Sequence, residues 1–218
     1  MKVVLALWMA AVAYGVFFLV PPAEGLGYLV RIAFFHIPVA WVSVLAFFQS
    51  ALEAFRYLRT REPRHDWRSS AAAALGLGFC LLATGSGAVF AKLTWGAYWN
   101  WDPRQTTIFV LLLIYGAYLA LRASLEEAEL RARISAVYAL LSFLTVPFLV
   151  FVLPRFYYSL HPEPLLNSTG RLQMEPGMLV VLLAAVGGVT AIYWQLWRWQ
   201  VGRQERQYEM PLREGVNR

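Results

Sequence analysis

The sequence predicts an all-α integral membrane protein of six transmembrane helices with both termini cytoplasmic. Three observations lead there. First, 59% of the 218 residues are hydrophobic and only 15% are charged, against about 25% charged in ordinary soluble domains. Second, the apolar residues are blocked into long runs rather than scattered at the spacing of an amphipathic helix or strand. A bilayer core about 30 Å thick takes roughly 20 apolar helical residues. Third, the basic residues gather on alternate connections between those runs.

In chain order the runs are Val3–Val20, Ile32–Tyr57, Ser70–Phe90, Thr106–Arg122, Ile134–Leu153 and Met178–Trp197. The first follows Lys2, as a signal peptide would. Its apolar stretch is longer than the roughly 7–15 residues of a secretory signal, and no small-residue cleavage site precedes Pro21-Pro22, so it reads as a retained span. No internal repeat or low-complexity linker interrupts the chain. Residues 1–218 therefore read as a single six-helix domain, with an outer Trp-rich segment at 91–105, an outer loop at 154–177 and a cytoplasmic tail at 199–218.

Arg and Lys set the orientation. One side takes Lys2; Arg56, Arg59, Arg61, Arg64 and Arg68; Arg122, Arg131 and Arg133; and Arg198, Arg203, Arg206, Arg213 and Arg218. These are 14 of the 19 basic residues. The other side takes Arg31, Lys92, Arg104, Arg155 and Arg171. Positive charge favours the cytoplasm, so connections 21–31, 91–105 and 154–177 face outward. The net charge of +6 is thus accounted for by topology and lipid headgroups rather than by nucleic acid. The single cysteine, Cys80, lies inside an apolar run. It rules out an intrachain disulfide, a thiol-pair redox site and a Cys-x-x-Cys-His attachment site within the chain, and reads as a packing residue.

The outer connection between the third and fourth runs carries the chemistry. It reads Lys92-Leu93-Thr94-Trp95-Gly96-Ala97-Tyr98-Trp99-Asn100-Trp101-Asp102-Pro103-Arg104. Trp and Tyr collect at membrane interfaces as an anchoring belt. Four such rings within seven positions also suit a flat apolar surface on which a planar ligand stacks. Density alone does not separate the two. Asp102-Pro103-Arg104-Gln105 fits a helix start, with Asp102 as N-cap, Pro103 first in the helix and Gln105 completing a capping box. Arg104 and Lys92 place cations beside the rings, suited to headgroups or to an anionic ligand.

The three histidines sort by side. His65 falls in the Arg-rich cytoplasmic connection and carries no expected role. His36, at the outer end of the second run, and His161, in the connection after the fifth, share the outer side with the aromatic segment. Either alone is an ordinary interfacial histidine. Together with the rings and cations they describe a haem site, with two imidazoles on the iron. A zinc site needs three or four ligands, and the outer face offers few beyond these two. A proton pathway needs ionisable residues deep in the spans. Glu53 is the one candidate, and it is expected to reach the cytoplasmic interface.

Trp95-Gly96-Ala97-Tyr98-Trp99-Asn100-Trp101-Asp102-Pro103-Arg104 resembles the tryptophan-rich "WWD" signature of haem-handling proteins of cytochrome c biogenesis, and within that family the six-span CcmC group. Thr84-Gly85-Ser86, Arg31-Ile32-Ala33-Phe34-Phe35-His36-Ile37-Pro38 and Leu160-His161 fall where CcmC-like proteins have matching features. The chain departs from the pattern at Tyr98, where tryptophan is frequent, and at Pro162-Glu163-Pro164, where a Gln-Gly-Ser-Thr run is expected. The resemblance implies a multi-pass protein of the bacterial inner membrane, not a metabolic enzyme. It implies haem b held transiently as cargo on the periplasmic face, between His36 and His161 and against Trp95, Tyr98, Trp99, Trp101, Asp102 and Arg104. Lys92 and Arg155 are further candidates for the propionates. The implied partners are a CcmE-like periplasmic haem chaperone, CcmA- and CcmB-like ABC transporter subunits and a CcmD-like subunit. The competing readings are a CcsA-type haem lyase, a membrane cytochrome b that carries electrons, and a transporter scaffold with no ligand of its own.

Overall fold

Helices account for the architecture, as a chain that crosses lipid must satisfy its backbone hydrogen bonds within each segment. The computed structural model describes residues 2–161 and 174–216. Six of its helices are long and apolar enough to span a membrane. Helix α1 (Lys2–Tyr14) continues as a π-helical turn, Gly15–Leu19. A 3-10 turn, Tyr28–Ile32, feeds α2 (Ala33–Thr60). Then come α3 (Pro63–Trp95), α4 (Pro103–Ser124) and α5 (Ala128–Pro147). The last is prolonged by a π-helical turn, Phe148–Val152, and a 3-10 turn, Leu153–Arg155. Helix α6 runs from Pro176 to Val216.

All six expected spans are present, but the helices outrun them. Apolarity marks the stretch that meets hydrocarbon, whereas helical hydrogen bonding continues past the interface. Helix α3 starts seven residues before the apolar run, at Pro63 in the first helical position with Asp66 in the first turn, both favourable there. The Arg-rich connection expected between the second and third spans shrinks to Arg61 and Glu62. Arg61 turns the chain in the left-handed region at φ +60°. At the other end α3 reaches Trp95, so only residues 96–102 of the Trp-rich segment are non-helical. Arg171 and Pro162-Glu163-Pro164 lie outside the described residues.

Helix α2 sits centrally, packed on α3, α5 and α6; α4 covers α3 and α5, and α1 lies against α6. Close helix approach in lipid relies on small residues. Gly76 on α3 shows it: a Cβ there would stand 2.6 Å from Phe47 Cε1. The Phe47 ring is in turn stacked on Tyr115 of α4 at 3.5 Å between centroids. Cys80 is wholly buried in that same core, the packing role its context suggested. Alternating connections bring the ends of α1, α3 and α5 and the starts of α2, α4 and α6 to one end of the bundle. That end holds the candidate site.

Candidate haem-binding site

His36 occupies the first turns of α2, two residues before Pro38, which the helix accommodates in its interior. Its Nδ1 lies 3.0 Å from Ser86 Oγ on α3. The Ser86 hydroxyl hydrogen has backbone acceptors of its own, Leu82 O at 2.8 Å and Ala83 O at 3.1 Å. With that hydrogen so placed, Ser86 is an acceptor for a His36 ring protonated on Nδ1, the tautomer whose Nε2 keeps its lone pair. Gly87 makes room for the ring, since a Cβ there would stand 3.1 Å from His36 Cε1.

His161 reaches the same end of the bundle through Asp102. The Asp102 carboxylate, 5% exposed, accepts from Arg104 N at 2.9 Å, as the N-cap of α4 should. It also accepts from Leu160 N at 2.7 Å, from Ser159 Oγ at 2.9 Å and from His161 Nδ1 at 2.9 Å. The carboxylate has no proton to give, so His161 also carries its hydrogen on Nδ1 and keeps the Nε2 lone pair. The N-cap expectation for Asp102 holds, and the residue does more than cap: it clips the segment 159–161 to the start of α4. The capping box does not form. Gln105 Oε1 accepts instead from Asn100 N at 2.8 Å, because Trp101 in the left-handed region at φ +55° turns the chain back over the helix start. That conformation costs a bulky residue of order 1–3 kcal/mol; the four donors converging on Asp102 and the two bonds of Gln105, from Asn100 N and to Tyr98 O, offset it.

Electrostatics follow from these contacts. Burial by itself would raise the Asp102 pKa. The backbone N–H groups of Arg104 and Leu160, the Ser159 hydroxyl and the His161 ring outweigh it, and the carboxyl titrates below its ordinary range. For His161, burial is the largest influence and lowers the pKa. Arg104 and His36 add to that, and the Asp102 charge only partly opposes it. The imidazole is thus held neutral, the form that coordinates metal.

Two clefts share His36, Gly87, Arg104 and His161. The larger, about 770 Å³, is bounded by the α1–α2 connection, Phe90 of α3 and Met174 and Met178 near the start of α6. The smaller, about 210 Å³, is lined by Trp99, Thr84, Ile108, Val150 and Pro154. The π-helical and 3-10 turns ending α5 supply the last two. Cofactor clefts typically measure roughly 300–1,000 Å³, and the larger falls within that range. Among the described residues, the buried Arg104 Nε and Trp99 Nε1 have no hydrogen-bond partner. Buried donors are ordinarily satisfied, and two orphans at one cleft suit a ligand rich in acceptors, such as a dicarboxylate.

The expected site residues separate into three groups. His36, His161, Trp99 and Arg104 line the clefts. Trp95 and Asp102 support His161, Trp95 by edge contact at 4.9 Å between ring centroids and Asp102 by hydrogen bonding. Tyr98 and Trp101 are 60% and 69% exposed and face outward. The rings do not form one flat surface: Trp99 meets Trp101 at 89° and Phe109 at 75°. Lys92 donates to Gly96 O at 2.8 Å, closing the end of α3, and Arg155 donates to Phe151 O at 2.9 Å. Neither lines a cleft. Ser86, Gly87 and Ser159 take roles that sequence reasoning did not assign; the small-residue run Thr84–Gly87 near the outer end of an apolar stretch is the one signal for the first two, and Ser159 has none.

Comparison with known proteins supplies the family. The family model described as "Heme exporter protein C" matches residues 1–211. A heme exporter protein C from Bradyrhizobium diazoefficiens is 29% identical over 167 residues, 77% of this chain and 63% of the relative. A putative cytochrome c biosynthesis ccmC-like mitochondrial protein from Arabidopsis thaliana is 34% identical over 101 residues, 46% of this chain and 40% of the relative. A cytochrome c biogenesis protein CcsA from Nymphaea alba is 42% identical over 74 residues, 33% of this chain and 23% of the relative. The chain spans less than two thirds of the length of these curated relatives. Its six membrane-crossing helices and a family match over nearly the whole sequence lead to one statement: the chain belongs to the heme exporter protein C family.

Proposed function

We propose that this protein binds haem b as transient cargo on the periplasmic face of the bacterial inner membrane and delivers it to a CcmE-like haem chaperone for cytochrome c maturation. The whole chain acts as one six-helix haem-handling unit rather than as an enzyme. His36 and His161 ligate the iron through Nε2, Trp99 packs against the macrocycle, and Arg104 meets a propionate. Trp95 and Asp102 hold His161 in place, while Tyr98 and Trp101 border the site where an acceptor docks. Relatives named as heme exporters favour a setting beside CcmA- and CcmB-like transporter subunits with a CcmD-like subunit.

One observation carries the reading. Two imidazoles from distant parts of the chain line the same clefts, and both are fixed by their Nδ1 partners with Nε2 left to coordinate. Optical spectra of the purified protein supplied with haem test it. Six-coordinate bands are expected in the wild type, and His36→Ala and His161→Ala should each remove or shift them. Spectra indifferent to both substitutions would refute the ligand assignment.

The similarity to CcsA proteins favours a second reading, direct delivery to apocytochrome. Co-expression with an apocytochrome in cells lacking the chaperone separates the two: holocytochrome forms under the second reading and does not under the first.

A further inference from the structure

The two imidazoles are supported unequally, and the inequality orders the release of the cargo. It rests on the haem-ligand reading above. His161 donates its Nδ1 hydrogen to a buried carboxylate at 2.9 Å, and that carboxylate is itself anchored by Arg104 N, Leu160 N and Ser159 Oγ. His36 has only neutral partners, the Ser86 hydroxyl at 3.0 Å, whose own hydrogen has helix carbonyls to bond, and the Ala83 backbone. A carboxylate behind a ligating imidazole raises its basicity and its strength as a donor to the metal; a hydroxyl does so far less. With iron on Nε2, the carboxylate's full negative charge behind the ring would favour the ferric state.

We infer that His161, backed by Asp102, is the ligand the iron keeps, and that His36, backed by Ser86, is the ligand exchanged when haem passes to its acceptor. Asp102 and Ser86 are positioning residues in this scheme: they act on the iron through the imidazoles. The exchange balances without protons or electrons. The bond from iron to His36 Nε2 breaks, its electron pair returns to the ring as a lone pair, and His36 leaves as the neutral Nδ1–H tautomer that Ser86 already holds. A neutral nitrogen donor of the acceptor supplies the replacing pair, and the iron keeps its oxidation state. His36 sits on a helix and does not follow the haem away, whereas the segment 159–161 is clipped to the start of α4 and keeps the cargo attached until the acceptor has bound.

Carbon monoxide on the reduced, haem-loaded full chain serves as the exchanging ligand. Resonance Raman of the photolysed wild-type complex reads the iron–histidine stretch of the ligand that stayed. It is expected to match five-coordinate ferrous His36→Ala, in which only His161 remains, and to shift to lower frequency in Asp102→Asn but not in Ser86→Ala. In titrations with haem, Asp102→Asn is expected to weaken retention roughly 10–100-fold, the usual cost of losing such a supporting partner, and Ser86→Ala by less. A photoproduct matching His161→Ala, or a stretch unmoved by Asp102→Asn, overturns the order of release while leaving both ligands in place. A wild type without a six-coordinate spectrum overturns the haem reading itself, and this inference with it.

Discussion

The His65 imidazole meets the Glu53 carboxylate at 2.6 Å, at the end of the bundle opposite the clefts. Both are buried, at 7% and 4% exposure. The other Glu53 oxygen accepts from Arg56 at 2.7 Å. Nearby, Arg122 on α4 binds Asp66 on α3 through two bonds of 2.6 and 2.7 Å. These pairs tie α2 to α3 and α3 to α4 where the hairpin turns. Glu53 was expected at the interface and His65 to carry no role. The α2 and α3 helices extend through the supposed loop and enclose both.

His65→Ala should therefore destabilise the fold without touching the haem chemistry. Removing His65 leaves one buried Glu53 oxygen without its partner while Arg56 still holds the other, a loss of about 1–3 kcal/mol. A lowered Tm in detergent is expected, with a Soret position equal to wild type in the folded fraction. A shifted Soret band would connect this cluster to the haem site and contradict the separation of the two ends.

The acid sensitivity of His161 has a definite sign. Its folded pKa lies below the ordinary 6.5. Between those two values the unfolded chain binds a proton that the folded chain does not, so acid destabilises the fold through that window. Arg104 is one of the groups lowering the value. Histidine-resolved NMR titration of the haem-free protein should place His161 below 6.5, and Arg104→Gln should move it upward. A downward move in that variant would show that the cation does not act on the ring.

Trp99 and Trp101 are neighbours in the motif with different surroundings. Trp99 lines the smaller cleft and has a buried, unpartnered Nε1. Trp101 is mostly exposed and touches Trp99 edge-on at 5.7 Å. Trp99→Ala should lower bound haem more than Trp101→Ala does, while Trp101→Ala should show its larger effect on transfer to the acceptor. Equal haem loss from both would mean that the rings act as one surface.

What the sequence disclosed was whatever depends on long runs or on parity. Six apolar stretches give six helices, and counting connections puts His36, His161 and the tryptophans at the same end. What it concealed depends on contacts between distant positions or on one dihedral angle. Ser86 meets His36 across 50 residues of chain, which no local pattern reports. Gln105 misses its capping box because Trp101 adopts a left-handed turn that a bulky residue rarely takes. Glu53 looks interfacial because an apolar run says where lipid ends, not where a neighbouring helix continues.

The side of the membrane on which the clefts open decides whether the cargo can reach a periplasmic acceptor, and charge is the argument for it. The α4–α5 connection is flanked by Arg122, Arg131 and Arg133 and should be cytoplasmic; Glu24, in the α1–α2 connection, lies at the cleft end. Both Glu24 and Glu126 are exposed, so single cysteines at these positions report the two faces. Cys80 is fully buried, which gives the native chain a low labelling background. A membrane-impermeant maleimide added to cells whose outer barrier alone has been opened should label Glu24→Cys and leave Glu126→Cys untouched until the inner membrane is broken. The reverse pattern would turn His36 and His161 toward the cytoplasm, and the proposed delivery of haem to a periplasmic chaperone could not take place.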